Sequence, residues 1–516
     1  MSDHDDPADP VAPEADEQHR ESQREIRLDK VRAMQAAGLN PYPVRFDPDT
    51  DAAEIRERHA DLGPGASTDD RVKVAGRLML IRRQGGLSFG TLQDRTGHIQ
   101  LFVDSKRIGA DRHVEFDELD RGDWVGVEGT VLTTRRGELS IGVDAFELLG
   151  KAIRPLPDKH KGLTDVERRL RERYVDLVAN ERTREIFEIR RKVVLAMREH
   201  LQDQGFYEVE GPILSTIQGG ATARPFVTHH NALDLDLYLR IALELHLKRL
   251  IVGGMDRVFE IGRIFRNEGI DTSHNPEFTM LEAYQAYADY HDMMDLTEGL
   301  IVHAARRALD GSLEVTLDGE PLDLTPPWPR VRMTDLIEQE TGVRMDPTMA
   351  IEDARRILDD MDLPYEEGWG SGRLMETVYD ERVQRNVRGP LFCLDYPQEG
   401  SPLARAHRSE AGYVERFELI VGGHELCNAY SEQNDPIQQL EAFEAEARAK
   451  AAGDPEAGDI DFDYIRALEY GMPCAGGLGI GVDRVVMLIA SVDSIREVIL
   501  FPTLRPEFPD TAGSTT

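Results

Sequence analysis

A chain of 516 residues, 40% of them hydrophobic, is long enough to bury a sizeable core and form more than one domain, which excludes a disordered protein. Its 96 acidic against 61 basic residues give a formal net charge of -35, yet phosphate binding needs only local basic patches, so nucleic acid stays open as a partner. An acidic excess spread over all segments suits a halophilic protein, whose self-repulsion is screened by salt.

The first residues are acidic and polar where a secretion signal would be basic and then apolar, and no apolar run approaches bilayer length. A cytoplasmic protein without membrane contact is expected. Cys393, Cys427 and Cys474 lie far apart and form no CxxC pair, which argues against a disulfide framework or structural zinc and predicts reduced, buried thiols.

Residues 1–21 are an acidic tail with few large apolar side chains, expected to be disordered. In the helical extension 22–70, apolar residues recur at helical spacing from Arg24 to Ala37, and Gly38 follows as a C-cap. Residues 71–150 change character. VKVAGRLMLIRR, LSFGTLQD, HIQLFVD, DWVGVEGTVLTT and LSIGVDAFELL alternate as five short strands, predicting a small β-barrel of OB type. Such barrels bind single-stranded nucleic acid through exposed aromatic and basic groups, and Arg82, Arg83, Phe89 and Gln100 are available, although Phe89 suits a core position equally well. A basic, proline-bearing stretch over 151–180 reads as a linker entering a helix.

The second domain spans 181–508. Its opening helix carries Ile186, Ile189, Val193, Val194, Met197 and Leu201 on one stripe, stops at Gly205 and is followed by a strand with Pro212. The pair Gly219-Gly220 lets the backbone approach a ligand. Glu244 sits in an apolar run, with Lys248 as its simplest i,i+4 partner.

Arg257 to Tyr290 reads as strand, loop and strand. Alternation puts Glu260, Ile264, Arg266 and Glu268 on one face of the first arm, and Phe278, Met280, Glu282 and Tyr284 together on the second, a face suited to a cation. A solvated hairpin is the simpler alternative. Against it stands the connecting loop, where Asp271, Thr272, Ser273, His274 and Asn275 concentrate polar groups as a binding loop does.

An insertion of helical elements at about 310–390 carries no chemical motif. Gly422-Gly423 signals a two-residue hairpin in which Ile420 faces Glu425, so Glu418 and Glu425 converge diagonally, close enough to share a divalent cation. Asn428, Tyr430 and Glu432 share a face that simple pleating turns away from Glu425; both sets reach one site only through a bulge near Leu426-Cys427. Glycines 476, 477, 479 and 481 then strip one strand of side chains before Asp483-Arg484 enters an apolar helix, and 509–516 form a tail.

FRNEGIDTSHNPEFTMLEAYQAYADY closely resembles motif 2 of the class II aminoacyl-tRNA synthetases in its lysyl form; the helix from Glu181 resembles motif 1 and AGGLGIGVDRVVMLIA motif 3. The resemblance covers roughly residues 25 to 505. It implies an α+β, multidomain chain: an N-terminal OB-fold β-barrel that binds the anticodon, and a class II catalytic domain built on an antiparallel sheet flanked by helices. It implies a homodimer through motif 1, ATP and L-lysine as substrates, tRNA(Lys) as partner and Mg2+ as cofactor.

The implied roles are specific. Arg266 and Arg484 are catalytic, the first at the lysine carboxylate and α-phosphate, the second at the γ-phosphate. Glu268 and Asn275 read adenine, Phe278 stacks on it and His274 meets phosphate, while Glu418 and Glu425 hold the metal. Glu282, Tyr284 and Glu432 take the lysine ammonium, Gly220 and Glu244 the α-amino group, and Asn428 the carboxylate, with Tyr430 lining the same pocket. Arg82, Phe89, Gln100 and Glu138 contact the anticodon. Cys427 and Tyr430 stand where bacterial members commonly carry Gly and Phe. Competing readings are an aspartyl or asparaginyl enzyme, which the acidic pocket disfavours, and a silent nucleic-acid-binding regulator, which the retained Arg266, Glu418, Glu425 and Arg484 disfavour.

Overall fold

Alternating apolar residues on five strands leave each strand with one face to bury, and the chain solves this by closing them on themselves. The computed structural model describes residues 13–157, 163–221, 223–451 and 458–506, which fall into two units, Met1–Leu163 and Thr164–Thr516. The first begins with α1 (Pro13–Ala36) and α2 (Ala52–Arg58). Then follow β1 (Ser67–Gln84), β2 (Leu87–Gln93), β3 (His98–Asp104), α3 (Ser105–Ile108), α4 (Ala110–Asp117), β4 (Trp124–Thr133) and β5 (Leu139–Gly150). The barrel closes in the order β1-β2-β3-β5-β4 around Val74, Leu78, Leu92, Leu101, Val127 and Ile141, with Phe116 of α4 packed against them. Gly129 is obligatory where β4 crosses β5, because a Cβ there would lie 2.3 Å from the Gly142 carbonyl oxygen.

Helix α1 starts ahead of the expected Arg24, within the stretch read as an acidic tail; residues 1–12 and the tail 509–516 lie outside the described residues. It ends as expected: Gly38 takes φ 75° and the Leu39 N–H donates to the Met34 carbonyl. Arg27 ties α1 to the barrel through the carbonyls of Arg121, Ala152 and Arg154. Lys151, at the end of the barrel, is buried between Asp120 (2.5 Å) and Asp123 (2.7 Å).

The second unit opens with α5 (Val166–Arg171), α6 (Arg173–Ala179), α7 (Glu181–Asp203) and β6 (Tyr207–Glu208). A small sheet of β7 (Leu214–Ser215), β8 (Val227–His230) and β9 (Leu235–Leu239) precedes α8 (Glu244–Val252), β10 (Arg257–Phe265), β11 (Glu277–Ala286) and α9 (Tyr290–Ala308). The insertion holds β12 (Glu314–Leu317), β13 (Glu320–Asp323), β14 (Arg330–Arg332), α10 (Met333–Thr341), α11 (Ile351–Asp360) and α12 (Ser371–Val378). The chain then forms β15 (Leu391–Leu394), β16 (Arg416–Val421), β17 (His424–Ser431), α13 (Pro436–Ala451), α14 (Phe462–Glu469), β18 (Ala475–Gly481), α15 (Val482–Ala490) and α16 (Ile495–Val498).

Eight of these strands form one sheet in the order β14-β15-β16-β17-β18-β11-β10-β6, antiparallel except at its two outer pairs. Strand alternation sorts its faces. Phe259, Leu281, Ala283, Leu419, Ala429, Leu478 and Ile480 point to one side and pack on the apolar stripes of α7, α9 and α15, including Ile186, Val193, Met197 and Leu201 as the helix spacing requires. The opposite face keeps the polar residues of the same strands. Helices α10–α12 bury a separate core around Ile337, Leu358, Leu374 and Tyr379. Cys393 and Cys427 are buried, but Cys474 is exposed, because it lies just ahead of β18 rather than in it. No described helix is long and apolar enough to cross a membrane.

Candidate active site

The polar face of the large sheet becomes a cavity because its central strand has no side chains there. Strand β18 lies between β11 and β17, with Gly479 paired to both Glu282 and Asn428, and Gly477 to both Tyr284 and Tyr430. The side chains of β11 and β17 therefore stand as walls two strand spacings apart, roughly 10 Å, over a glycine floor. A Cβ on Gly477 would lie 2.0 Å from Glu432 Oε1 and 2.4 Å from the Tyr284 ring, so only glycine fits. The resulting cavity, about 480 Å³, is lined along its length by Gly220, Glu244, Arg266, Glu282, Asn428 and Arg484, among others.

One end is acidic. Glu282 accepts hydrogen bonds from the Leu243 N–H at the start of α8 (2.9 Å) and from the Tyr284 hydroxyl (3.0 Å). Burial, reinforced by nearby Glu244, still pushes its carboxyl up to about 7. Glu244, the first residue of α8, accepts from the Tyr430 hydroxyl (2.7 Å) and pairs with Lys248 one turn on (2.5 Å). Lys248 also makes a closer ion pair with Glu432, which lies just past β17 with its Oε1 in the space above Gly477. Gly220 takes φ 89° beside Ala242, a conformation that only glycine adopts without strain.

The other end is built to meet negative charge. Arg266 continues β10, its N–H donating to the Pro276 carbonyl; its guanidinium lies 5.3 Å over the Phe278 ring, and its buried Nε has no hydrogen-bond partner among the described residues. In the loop between β10 and β11, Asp271 accepts from the Ser273 and His274 N–H groups and pairs with His274 (2.9 Å). Although desolvation opposes it, these hydrogen bonds hold the Asp271 carboxyl well below its ordinary range. Asn275 is buried and bonded to the Glu277 carbonyl, whereas Glu268 is exposed at the rim. Arg484, at the start of α15, donates to the Glu425 carbonyl (2.7 Å).

Glu418 and Glu425 meet as the hairpin register requires, Ile420 pairing with Glu425 across Gly422 and Gly423, both at positive φ. The register then jumps: Leu419 pairs with Cys427, leaving Leu426 as an extra residue. This bulge, anticipated near Leu426-Cys427, turns Glu425 and Asn428 into one cavity. Burial, and then the facing Glu425, push Glu418 up to about 8, while Arg416 bonds its other side (2.6 Å). Two carboxylates that repel across an open cavity fit a divalent cation that draws its remaining ligands from phosphate and water. No group of three or more metal-ligating side chains is found among the described residues.

Residues 165–505 match the family of class II tRNA synthetases (D, K and N), and residues 72–149 match the OB-fold nucleic acid binding domain. The lysine–tRNA ligase of Nostoc punctiforme is 50% identical over 493 residues, covering 94% of this chain and 88% of the relative. That of Moorella thermoacetica is 50% identical over 93% of this chain and 97% of the relative, and that of a Synechococcus species 50% identical over 94% and 99%. The chain belongs to the lysine–tRNA ligases.

Most of the residues expected for a lysine–tRNA ligase line this one cavity: Gly220, Glu244, Arg266, Glu268, His274, Asn275, Phe278, Glu282, Tyr284, Glu418, Glu425, Asn428, Tyr430 and Arg484. Glu432 stands behind the wall, paired with Lys248. Sequence reasoning missed Arg416, although its place two residues before Glu418 puts both on one strand face. It also missed Glu446, an acid of α13 that lines the cavity and that no local pattern sets apart from its acidic helix.

On the barrel, Phe89 is not in the core. It lies half-exposed on the outward face, paired across strands with Phe102 (ring centroids 5.5 Å apart) and with exposed Arg82. Gln100 shares that sheet and donates to the Ser140 hydroxyl (2.9 Å); Glu138 is exposed in the β4–β5 turn.

Proposed function

We propose that this chain activates L-lysine with ATP and esterifies it to the 3′ end of tRNA(Lys), using the cavity over Gly477 and Gly479. The observation that carries this reading is the polarity of the cavity: Glu244, Glu282 and Glu446 line one end with Glu432 just behind them, and Arg266 and Arg484 line the other. A diamino acid laid along the glycine floor meets acids with its ammonium groups and Arg266 with its carboxylate. In the first step a lysine carboxylate oxygen attacks the α-phosphorus of ATP, the bond to the β-phosphate oxygen breaks, and pyrophosphate leaves. In the second the terminal ribose hydroxyl of tRNA attacks the lysyl carbonyl carbon and AMP leaves with the bonding pair.

No protein nucleophile is required, so the side chains act by position and charge. Glu282, Tyr284 and Glu432 take the side-chain ammonium, Glu244 and Gly220 the α-amino group, and Asn428 the carboxylate, with Tyr430 holding Glu244 in place. Arg266, whose guanidinium lies over Phe278 and whose Nε has no hydrogen-bond partner among the described residues, orients the carboxylate and stabilises charge growing at the α-phosphate. Phe278 stacks on adenine, Glu268 and Asn275 read its edge, His274 meets phosphate and Arg484 the γ-phosphate. Glu418 and Glu425 would hold magnesium, which supplies charge neutralisation at the triphosphate. Aspartate or asparagine would leave the acids at the far end unmatched or repelled.

Arg82, Phe89, Gln100 and Glu138 form the anticodon surface, supported by the outward, stacked placement of Phe89. A homodimer is supported by exposed apolar side chains after α7, including Tyr207, Ile213, Leu214 and Val227. The cytoplasm of a high-salt cell is the setting that the net charge of -35 favours. Exchange of pyrophosphate into ATP that depends on lysine and falls by roughly 10²-fold or more in Arg266→Ala tests the reading; exchange that Arg266→Ala leaves intact contradicts it.

A further inference from the structure

Lys248 is a fully buried charged group just behind the acidic end of the cavity, with no substrate assigned to it in the roles above. Its side chain is fully buried, 2.5 Å from Glu244 Oε1 and in closer contact with Glu432 Oε2. These acids come from separate elements, the start of α8 and the segment after β17, so one ammonium joins the two sides of the acidic end. The Tyr430 ring lies 5.4 Å from it, and Tyr464 of α14 is a further titratable neighbour. Burial works against the charge, yet the two carboxylates outweigh it and hold the ammonium well above its ordinary value, so Lys248 stays protonated.

Its consequence is electrostatic. Glu244, Glu282, Glu432 and Glu446 gather at this end around one internal cation, so the pocket stays acidic toward the ammonium groups of a diamino acid while Lys248 offsets part of the repulsion among the carboxylates. Burial already pushes the Glu432 carboxyl up and the Lys248 ammonium is the main group that counters this, so without Lys248 Glu432 would be driven further toward its protonated form. Lys248 also fixes geometry. With Oε2 of Glu432 in the ion pair, the buried Oε1 has no hydrogen-bond partner among the described residues and occupies the space above Gly477. With Oε1 of Glu244 engaged, Oε2 is left to the Tyr430 hydroxyl and the cavity.

We propose that Lys248 is a positioning residue for amino-acid recognition: it clamps Glu244 and Glu432 in one arrangement and offsets part of the negative charge of the pocket that receives a cationic amino acid. This deepens the lysine-activation reading and rests on it. Lys248 touches no reacting atom; it acts through the two acids, and the lysine-dependent step alone should respond to its loss.

The test uses the full chain with Lys248→Met, which removes the charge, and Lys248→Gln, which keeps a hydrogen-bond donor of similar length. Pyrophosphate exchange gives KM for lysine and for ATP across pH, and thermal unfolding reports on the fold. The expected result is a lysine KM raised about tenfold or more in Lys248→Met and less in Lys248→Gln, with the ATP KM within about twofold. The pH at which lysine KM falls should also move upward, since Glu244, Glu282 and Glu432, faced by Tyr284, Tyr430, Tyr464, Glu446 and the distant Arg266, lose their internal cation. Folded variants with unchanged lysine KM and pH profile overturn the proposal. So do variants that raise both KM values alongside a lowered melting temperature, or the failure of both to fold, since either leaves Lys248 only a structural role. Absence of lysine-dependent exchange in the unsubstituted chain would instead overturn the activation reading itself.

Discussion

Replacing Gly477 by alanine puts one methyl group where the cavity floor meets its deepest wall. The new Cβ would lie 2.0 Å from Glu432 Oε1 and 2.4 and 2.6 Å from two Tyr284 ring carbons, against the roughly 3.5–4 Å of an ordinary carbon contact. Glu432 must therefore retreat by about 1.5 Å and the ring by about 1 Å. Neither can do so freely: both are buried, Glu432 is tied to Lys248 and the Tyr284 hydroxyl to Glu282. Overpacking of this kind costs roughly 1–3 kcal/mol. If the strain falls on the groups that meet the lysine ammonium, the lysine KM rises about 5- to 150-fold. The ATP KM should hold, because Arg266, Phe278 and Arg484 lie at the other end. Gly479→Ala is the control for stability, since its Cβ would meet the Met280 methyl at 3.2 Å and then Glu282 at 3.7 Å and the Asn428 carbonyl oxygen at 3.9 Å, both ordinary contacts, and a thioether end can rotate away. Pyrophosphate exchange and thermal unfolding on both variants decide the matter. A Gly477→Ala protein with unaltered melting temperature and lysine KM would refute the close packing of Glu432 and Tyr284 against β18.

Other outcomes follow from the same geometry. Because burial pushes Glu282 up to about 7, its carboxyl is partly protonated near neutrality in the empty cavity; a ligand ammonium favours the ionised form. Lysine binding should therefore release a proton and tighten as pH rises from about 6 to 8, which titration calorimetry in buffers of different ionisation enthalpy measures. Arg266→Ala should lower lysine-dependent exchange by roughly 10²–10³-fold with little change in melting temperature, because its buried Nε has no hydrogen-bond partner among the described residues and only the contact with the Phe278 ring is lost. Phe89→Ala should weaken tRNA binding by about 1–3 kcal/mol in a filter-binding assay while leaving exchange unchanged.

The parts of the site that could be read from sequence are those carried by short-range periodicity. Period-two alternation alone groups Phe278, Met280, Glu282 and Tyr284, and the Gly422-Gly423 turn alone sets Ile420 opposite Glu425. The bulge at Leu426 followed from requiring Glu425 and Asn428 to reach one place. What stayed hidden depends on contacts between distant segments. Lys248 reads locally as a simple partner for Glu244; that it also binds Glu432 emerges only when α8 and the end of β17 meet. Cys474 reads as buried by residue type, yet it precedes the strand that would have covered it. The insertion carries no chemistry; α11 was legible from its helical spacing, but the core that it forms with Ile337 of α10 and Leu374 of α12, and its placement against β14 and β15, were not.

The measurement that bears most directly on the central claim is pyrophosphate exchange into ATP with lysine, aspartate and asparagine in turn, at low and high potassium chloride. Exchange with lysine alone is the predicted result, as a cavity with three acids at one end and Arg266 at the other requires; exchange driven by aspartate or asparagine, or by no amino acid at any salt concentration, would contradict it.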